Sequence, residues 1–125
     1  MDKIFNELYK NLHHAAYKDP DPLNSFLFST RQHILLIFFI TSQAQKQSTL
    51  EEICYNISPK VISRSTIQNI LKEGVKINFF KKKINTEDKR AKYYQLTSSS
   101  IKLIEDWAYE QNKVFSNLNH IPKSK

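Results

Sequence analysis

Glycine is almost absent from this chain: Gly74 is the single one in 125 residues. A glycine-rich phosphate loop is therefore excluded. One cysteine, Cys54, rules out an intramolecular disulfide and fits a reducing compartment. The four histidines form no H-x-x-x-H pair, since His13 and His14 are adjacent and His33 and His120 stand alone. With no C-x-x-C either, no metal site is expected. The longest apolar run, Ile34 to Ile40, is seven residues, too short to span a bilayer. Near the start, Ile4, Phe5, Leu8 and Leu12 are interrupted by charges, so no secretory signal is expected. Paired carboxylates in an apolar setting and a Ser/His/Asp grouping are also missing. The sequence thus offers no case for an enzyme or a cofactor. Scarce glycine beside abundant Lys, Ile and Asn reads as coding bias in an AT-rich genome.

What the chain does have is a localised charge. Residues 60–92 carry ten basic side chains and three acidic ones, a net +7, which equals the net charge of the whole protein. The other 92 residues hold nine of each sign. Basicity concentrated in this way points to a polyanion, because Lys and Arg contacts release the counterions condensed on phosphates. The length suits one domain, 1–125, and the composition is that of an ordinary globular protein.

Apolar spacing predicts the elements. Residues 3–17 read as an amphipathic helix through Ile4, Phe5, Leu8, Leu12, Ala15 and Ala16, stopped by Asp19-Pro20-Asp21-Pro22. A second helix is expected from near Ser25 or Ser29 to about Gln45, apolar on all sides and therefore central. Ser48-Thr49-Leu50-Glu51 reads as a capping box opening a short helix, with Leu50, Ile53, Cys54 and Ile57 on one face. Ser58-Pro59 ends it. Ser63 is expected to cap the next helix. Its inner face holds Ile67, Ile70, Leu71, Gly74 and Ile77, and its outer face Arg64, Ser65, Gln68, Asn69, Lys72 and Lys76. Gly74 is taken as internal, allowing close approach of a neighbour, and Asn78 as the left-handed residue that closes the helix. Phe79 to Ile84 and Ala91 to Leu96 predict a two-stranded hairpin with a polar tip. Thr97-Ser98-Ser99-Ser100 caps a long final helix carrying Ile101, Ile104, Trp107, Ala108, Phe115 and Leu118. The tail from Pro122 is expected to fray.

A short helix, a turn, a helix with a polar outer face and a basic hairpin make a winged helix-turn-helix. Such a helix fits the major groove of B-DNA, where Arg, Ser, Gln and Asn can bond base edges. The expected DNA-binding residues are Ser63, Arg64, Ser65, Gln68, Asn69 and Lys72 on the helix, and Asp88, Lys89, Arg90 and Lys92 on the hairpin.

The run Asp88-Lys89-Arg90-Ala91-Lys92-Tyr93-Tyr94-Gln95-Leu96-Thr97 resembles the wing signature of the multiple-antibiotic-resistance-regulator (MarR) family, D-x-R-A/S followed by L-T. Ser63-Arg64-Ser65-Thr66-Ile67 resembles the start of that family's recognition helix, although Asn78 stands where glycine usually precedes the first wing strand. The resemblance implies that Arg90 enters the minor groove and that Asp88 steadies it by an ion pair. It also implies that helices in 1–22 and 98–121 form a dimerisation region around a DNA-binding region, 46–97. The expected fold is mainly α with a small β-hairpin. The expected function is that of a homodimeric, sequence-specific, double-stranded-DNA-binding transcriptional regulator of the cytoplasm, at the nucleoid. No membrane contact is expected, and no motif supports a small-molecule effector.

Blander readings stand beside these. Asp88 and Arg90 can form a surface ion pair worth under about 1 kcal/mol. Phe79, Phe80, Tyr93 and Tyr94 suit cross-strand packing better than base stacking. Cys54, on an apolar face, reads as a buried inert thiol. Trp107 reads as packing rather than the lining of an effector pocket. Winged helices also dock on proteins within larger assemblies, and RNA binding would show as a preference for single strands.

Overall fold

The computed structural model describes residues 1–17, 21–84, 86–88 and 91–116. Among the described residues, six α-helices, a short 3-10 turn (Ala44–Lys46) and three strands follow one another: α1 (Asp2–Tyr17), α2 (Pro22–Leu27), α3 (Arg31–Ser42), β1 (Gln47–Thr49), α4 (Leu50–Asn56), α5 (Arg64–Lys76), β2 (Phe80–Ile84), β3 (Lys92–Leu96) and α6 (Ser98–Phe115).

The expected second helix is two helices. Asp21 starts α2, its carboxylate accepting from Leu23 N–H at 3.0 Å, with Pro22 in the first turn. Phe28 ends α2. Thr30 then adopts extended backbone, and its hydroxyl accepts from the His33 N–H at 3.1 Å. A side chain that captures a backbone donor in this way restarts the helix rather than continuing it. α3 is central, with Leu36, Ile37 and Ile40 at 0% exposure, yet it is not enclosed: Leu35 and Phe38 remain exposed. It stops at Ser42, short of Gln45, where the backbone turns through positive φ at Gln45 (58°) and Lys46 (49°).

The sheet has three strands, not two, in the order β1-β3-β2, with both pairs antiparallel. Phe80 faces Leu96 and Ile84 faces Lys92, while Ser48 faces Tyr94. β1 is too short to show alternation in sequence, and it takes two residues of the expected capping box. The cap lies one residue later than expected, at Thr49. Thr49 caps α4, accepting from Glu52 N–H at 3.1 Å, and Ser48 Oγ donates to Glu52 Oε2 at 3.1 Å.

α5 keeps its expected bounds. Ser63 caps it, accepting from Thr66 N–H at 3.2 Å. At its far end Asn78 has φ 66°, the left-handed value expected of it. Asn78 N–H donates to Val75 O at 3.2 Å and Phe79 N–H to Gly74 O at 2.8 Å, the pair of bonds that defines a Schellman closure. Gly74 is internal to the helix, as expected, and its close neighbour is an aromatic ring. A Cβ added there would overlap Phe80 Cδ2 and lie 3.2 Å from Phe26 Cζ. Phe26, Phe79 and Phe80 pack together with ring centroids 5.0–6.0 Å apart. Strand-end aromatics are thus core here. Thr97 caps α6, its hydroxyl accepting from Ser100 N–H at 3.3 Å and bonding the Asn78 carbonyl at 2.9 Å.

α1 lies along α6. Ile4 is buried, Leu8 is half-buried, and Phe5, Tyr9 and Leu12 are exposed. On α6, Ile104 is buried and Ala108 and Phe115 are exposed. Trp107 is half-buried and packs against Phe28 and Phe38, at 6.0 and 5.6 Å. Leu118 and the tail from Pro122 lie outside the described residues.

Candidate nucleic-acid interface

Amphipathic periodicity fixes which side of α5 faces out. Ile67, Ile70, Leu71 and Gly74 are buried, and the opposite side presents Ser63, Arg64, Ser65, Gln68, Asn69 and Lys72, all exposed. The structure therefore brings the six helix residues singled out in sequence onto one accessible surface. They differ in what their side chains already do. The Ser63 hydroxyl serves the cap, bonding Thr66 Oγ1 at 2.9 Å and lying 3.2 Å from Ser65 Oγ. Gln68 and Asn69 project one helical turn further along, and Lys72 about two.

Arg64 reaches sideways to α4. Its Nη2 donates to Glu51 Oε1 at 2.5 Å and its Nη1 to Oε2 at 3.3 Å. The Arg64 bond and charge hold the Glu51 carboxyl below the usual carboxylate range, and Glu51 raises Arg64 in turn. Both side chains are more than half exposed. Glu51 is a neighbour of Arg64 that the sequence reading does not single out, since the capping pattern accounts for it fully. Cys54 also lies beside Arg64 and is half-buried rather than enclosed.

On the hairpin, Asp88 and Lys92 are exposed, and the Asp88 carbonyl accepts from the Ala91 N–H at 3.0 Å. Lys89 and Arg90 lie outside the described residues. β2 adds Lys81, Lys82 and Lys83, all exposed along one edge of the sheet, with Lys82 Nζ 5.8 Å from the Tyr94 ring centre. Arg31 is a further cation outside the basic block. It lines a surface cavity of about 450 Å³ with Thr30, Gln32, Leu35, Lys60 and Val61. There Gln32 Nε2 donates to Val61 O at 3.1 Å, tying α3 to the α4–α5 connection. That connection, Ile57 to Ser63, is a few residues longer than the turn usual in the family the sequence resembles.

Among the described residues no group of His, Cys, Asp and Glu is placed to hold a metal ion. Among them, too, no helix is long and apolar enough to cross a membrane.

No protein-family model matches the chain, and no curated protein matches it in sequence. The architecture does have a solved counterpart. The chain is similar in structure to a mutant MarR from E. coli complexed with operator DNA, with a TM-score of 0.51 at 17% identity. The match covers 95% of this chain and 76% of that one. Six helices around a small antiparallel sheet, read beside that likeness, make the fold a MarR-like winged helix.

Proposed function

We propose that this protein is a homodimeric, sequence-specific regulator of transcription that binds double-stranded DNA through α5 and the β2–β3 hairpin. The observation that carries this reading is the exposed polar face of α5, joined by the short turn of residues 77–79 to a lysine-rich strand. The solved counterpart, itself complexed with operator DNA, supports it. In this reading Gln68 and Asn69 reach base edges in the major groove, and Arg64 and Lys72 meet phosphates or bases. The hairpin residues Asp88, Lys89, Arg90 and Lys92 address the neighbouring minor groove or backbone. The protein then works among nucleic acids in the cytoplasm.

Dimerisation is supported by apolar surface that the single chain leaves uncovered: Phe5, Tyr9 and Leu12 on α1, with Tyr109 and Phe115 on α6. Pairing these faces across a two-fold axis sets two α5 helices about one DNA turn apart, roughly 34 Å. Selection of bound fragments from random duplex DNA tests the reading directly. A two-fold symmetric site is the expected result. If each protomer neutralises about three to four phosphates, log affinity falls against log salt with a slope of roughly −5 to −7. A slope near zero on every duplex, or a monomer at tens of micromolar with full duplex affinity, would overturn it.

A further inference from the structure

We propose that Glu51 is an internal competitor for DNA: in the free protein its carboxylate occupies the guanidinium fork of Arg64 and withholds it from duplexes that cannot displace it. The inference rests on the DNA-binding reading of α5 and deepens it. The geometry is end-on, Nη2 to Oε1 at 2.5 Å and Nη1 to Oε2 at 3.3 Å. That same edge of the guanidinium is the one used to clamp a phosphate, or the O6 and N7 of guanine, with two parallel bonds. While Glu51 holds it, Arg64 cannot present it to a nucleic acid. Arg64 is the first residue of α5 and Glu51 the second of α4, so the contact spans the two helices at the exposed end of the recognition surface.

An exposed pair of this kind is weak and yields to a better anion. The side chains are 52% and 75% exposed, so a phosphate can reach the fork without any rearrangement of the core. Non-specific binding is almost wholly a count of neutralised phosphates, so a cation already neutralised contributes little to it. A duplex that offers Arg64 a full bidentate partner replaces Glu51. One that offers only a passing phosphate must contend with a carboxylate already in place. Glu51 thereby acts on the difference between specific and non-specific affinity rather than on affinity itself.

Glu52 supplies an internal control. It is the adjacent carboxylate on the same helix, and it bonds Ser48 Oγ rather than Arg64. Removing charge at either position lowers local repulsion of DNA, but only Glu51 releases Arg64.

The experiment titrates a random-sequence duplex with the full chain across a range of salt, for wild type, Glu51→Gln, Glu51→Ala, Glu52→Gln, Arg64→Ala and Glu51→Gln/Arg64→Ala. Alanine leaves no acceptor, so it keeps the test valid where glutamine still holds the fork. The expected result is tighter random-duplex binding on loss of Glu51, by about twofold to fivefold per protomer near 0.1 M salt, with a salt slope steeper by up to about 0.9 per protomer. Glu52→Gln is expected to change binding less, and the gain is expected to vanish in the Arg64→Ala background. Weaker binding in Glu51→Ala would overturn the proposal and make Glu51 a positioning residue for Arg64. A gain that persists without Arg64 would overturn it in favour of general charge. Wild-type binding without salt dependence would instead sink the DNA-binding reading itself, a result visible before any variant is compared.

Discussion

Phe79 and Phe5 are the same residue in opposite circumstances. Phe79 sits at 0% exposure among Phe26, Phe80 and the Schellman end of α5, while Phe5 is 58% exposed on α1. The contrast extends to the regions around them. From α3 to β3, Leu36, Ile37, Ile40 and Ile53 are all at 0% and Leu96 at 2%. On α1 and α6, Tyr9, Leu12, Tyr109 and Phe115 are between 41% and 63% exposed. The first region encloses a core within the chain, although Leu35, Phe38, Tyr55, Val61 and Ile84 at its margins stay exposed. The other leaves an apolar stripe exposed among the described residues, and the proposed dimer would cover it.

The largest expected effect separates the two regions directly. Phe79→Ala is expected to cost about 3–5 kcal/mol in chemical denaturation, whereas Phe5→Ala should cost the isolated protomer less than about 0.5 kcal/mol. Phe5→Ala should instead shift sedimentation towards monomer. Equal losses from the two would break the contrast.

Gly74→Ala is the next test. The new methyl collides with Phe80, and overpacking of this kind costs about 1–3 kcal/mol. Alanine returns up to about 1 kcal/mol in helix propensity, so a net gain in stability would mean that the ring moves aside freely.

Asn78→Ala forces a Cβ-bearing residue with no local side-chain hydrogen bond into φ 66°. A loss of about 1 kcal/mol is expected, read from the denaturation midpoint. No comparable loss should follow substitution at exposed positions on α1.

The smallest effect is a pH dependence. His33 is buried against Phe26, with its ring centroid 4.9 Å away, and its Nδ1 lies 2.7 Å from Thr30 Oγ1. Burial pushes its pKa below the ordinary 6.5, against a partial pull from the charge of Glu73. The unfolded chain therefore binds this proton more readily than the folded one. The contribution is fully present above 6.5 and is lost as pH falls from there through the lower folded value. Thermal melts should show a declining midpoint in that window, and His33→Gln should flatten it. A midpoint that rises on acidification would show His33 to be charged in the fold.

What could be read in sequence was local chemistry. Ser63 and Thr97 as caps, the two faces of α5, the internal Gly74 and the left-handed Asn78 each depend on a few neighbouring residues, and each stands where the pattern put it. What could not be read was set by distant partners or by competition between close alternatives. β1 exists because Gln47–Thr49 finds β3 more than forty residues later, and its three residues show no period of their own. The break between α2 and α3 depends on Thr30 capturing the His33 amide within a stretch otherwise suited to one helix. The Glu51–Arg64 contact joins residues thirteen apart, brought together only by the packing of α4 on α5. Of the ten residues singled out for DNA, six share the exposed face of α5, Asp88 and Lys92 are exposed on the hairpin, and Lys89 and Arg90 lie outside the described residues.

The joint between α5 and β2 carries a mechanical consequence. Ile77, Asn78 and Phe79 are its whole length, and all three amides are engaged, by the carbonyls of Glu73, Val75 and Gly74. The Thr97 hydroxyl locks the Asn78 carbonyl from the other side. Such a connection has no slack, so the helix and the lysine-bearing ribbon behave as the two fixed jaws of a caliper. On the proposed DNA-binding reading, a duplex gripped by both would have to supply the spacing itself. Sequences whose groove width already suits that gauge would be measured and kept, and stiffer or wider ones would be refused at points where no side chain touches a base.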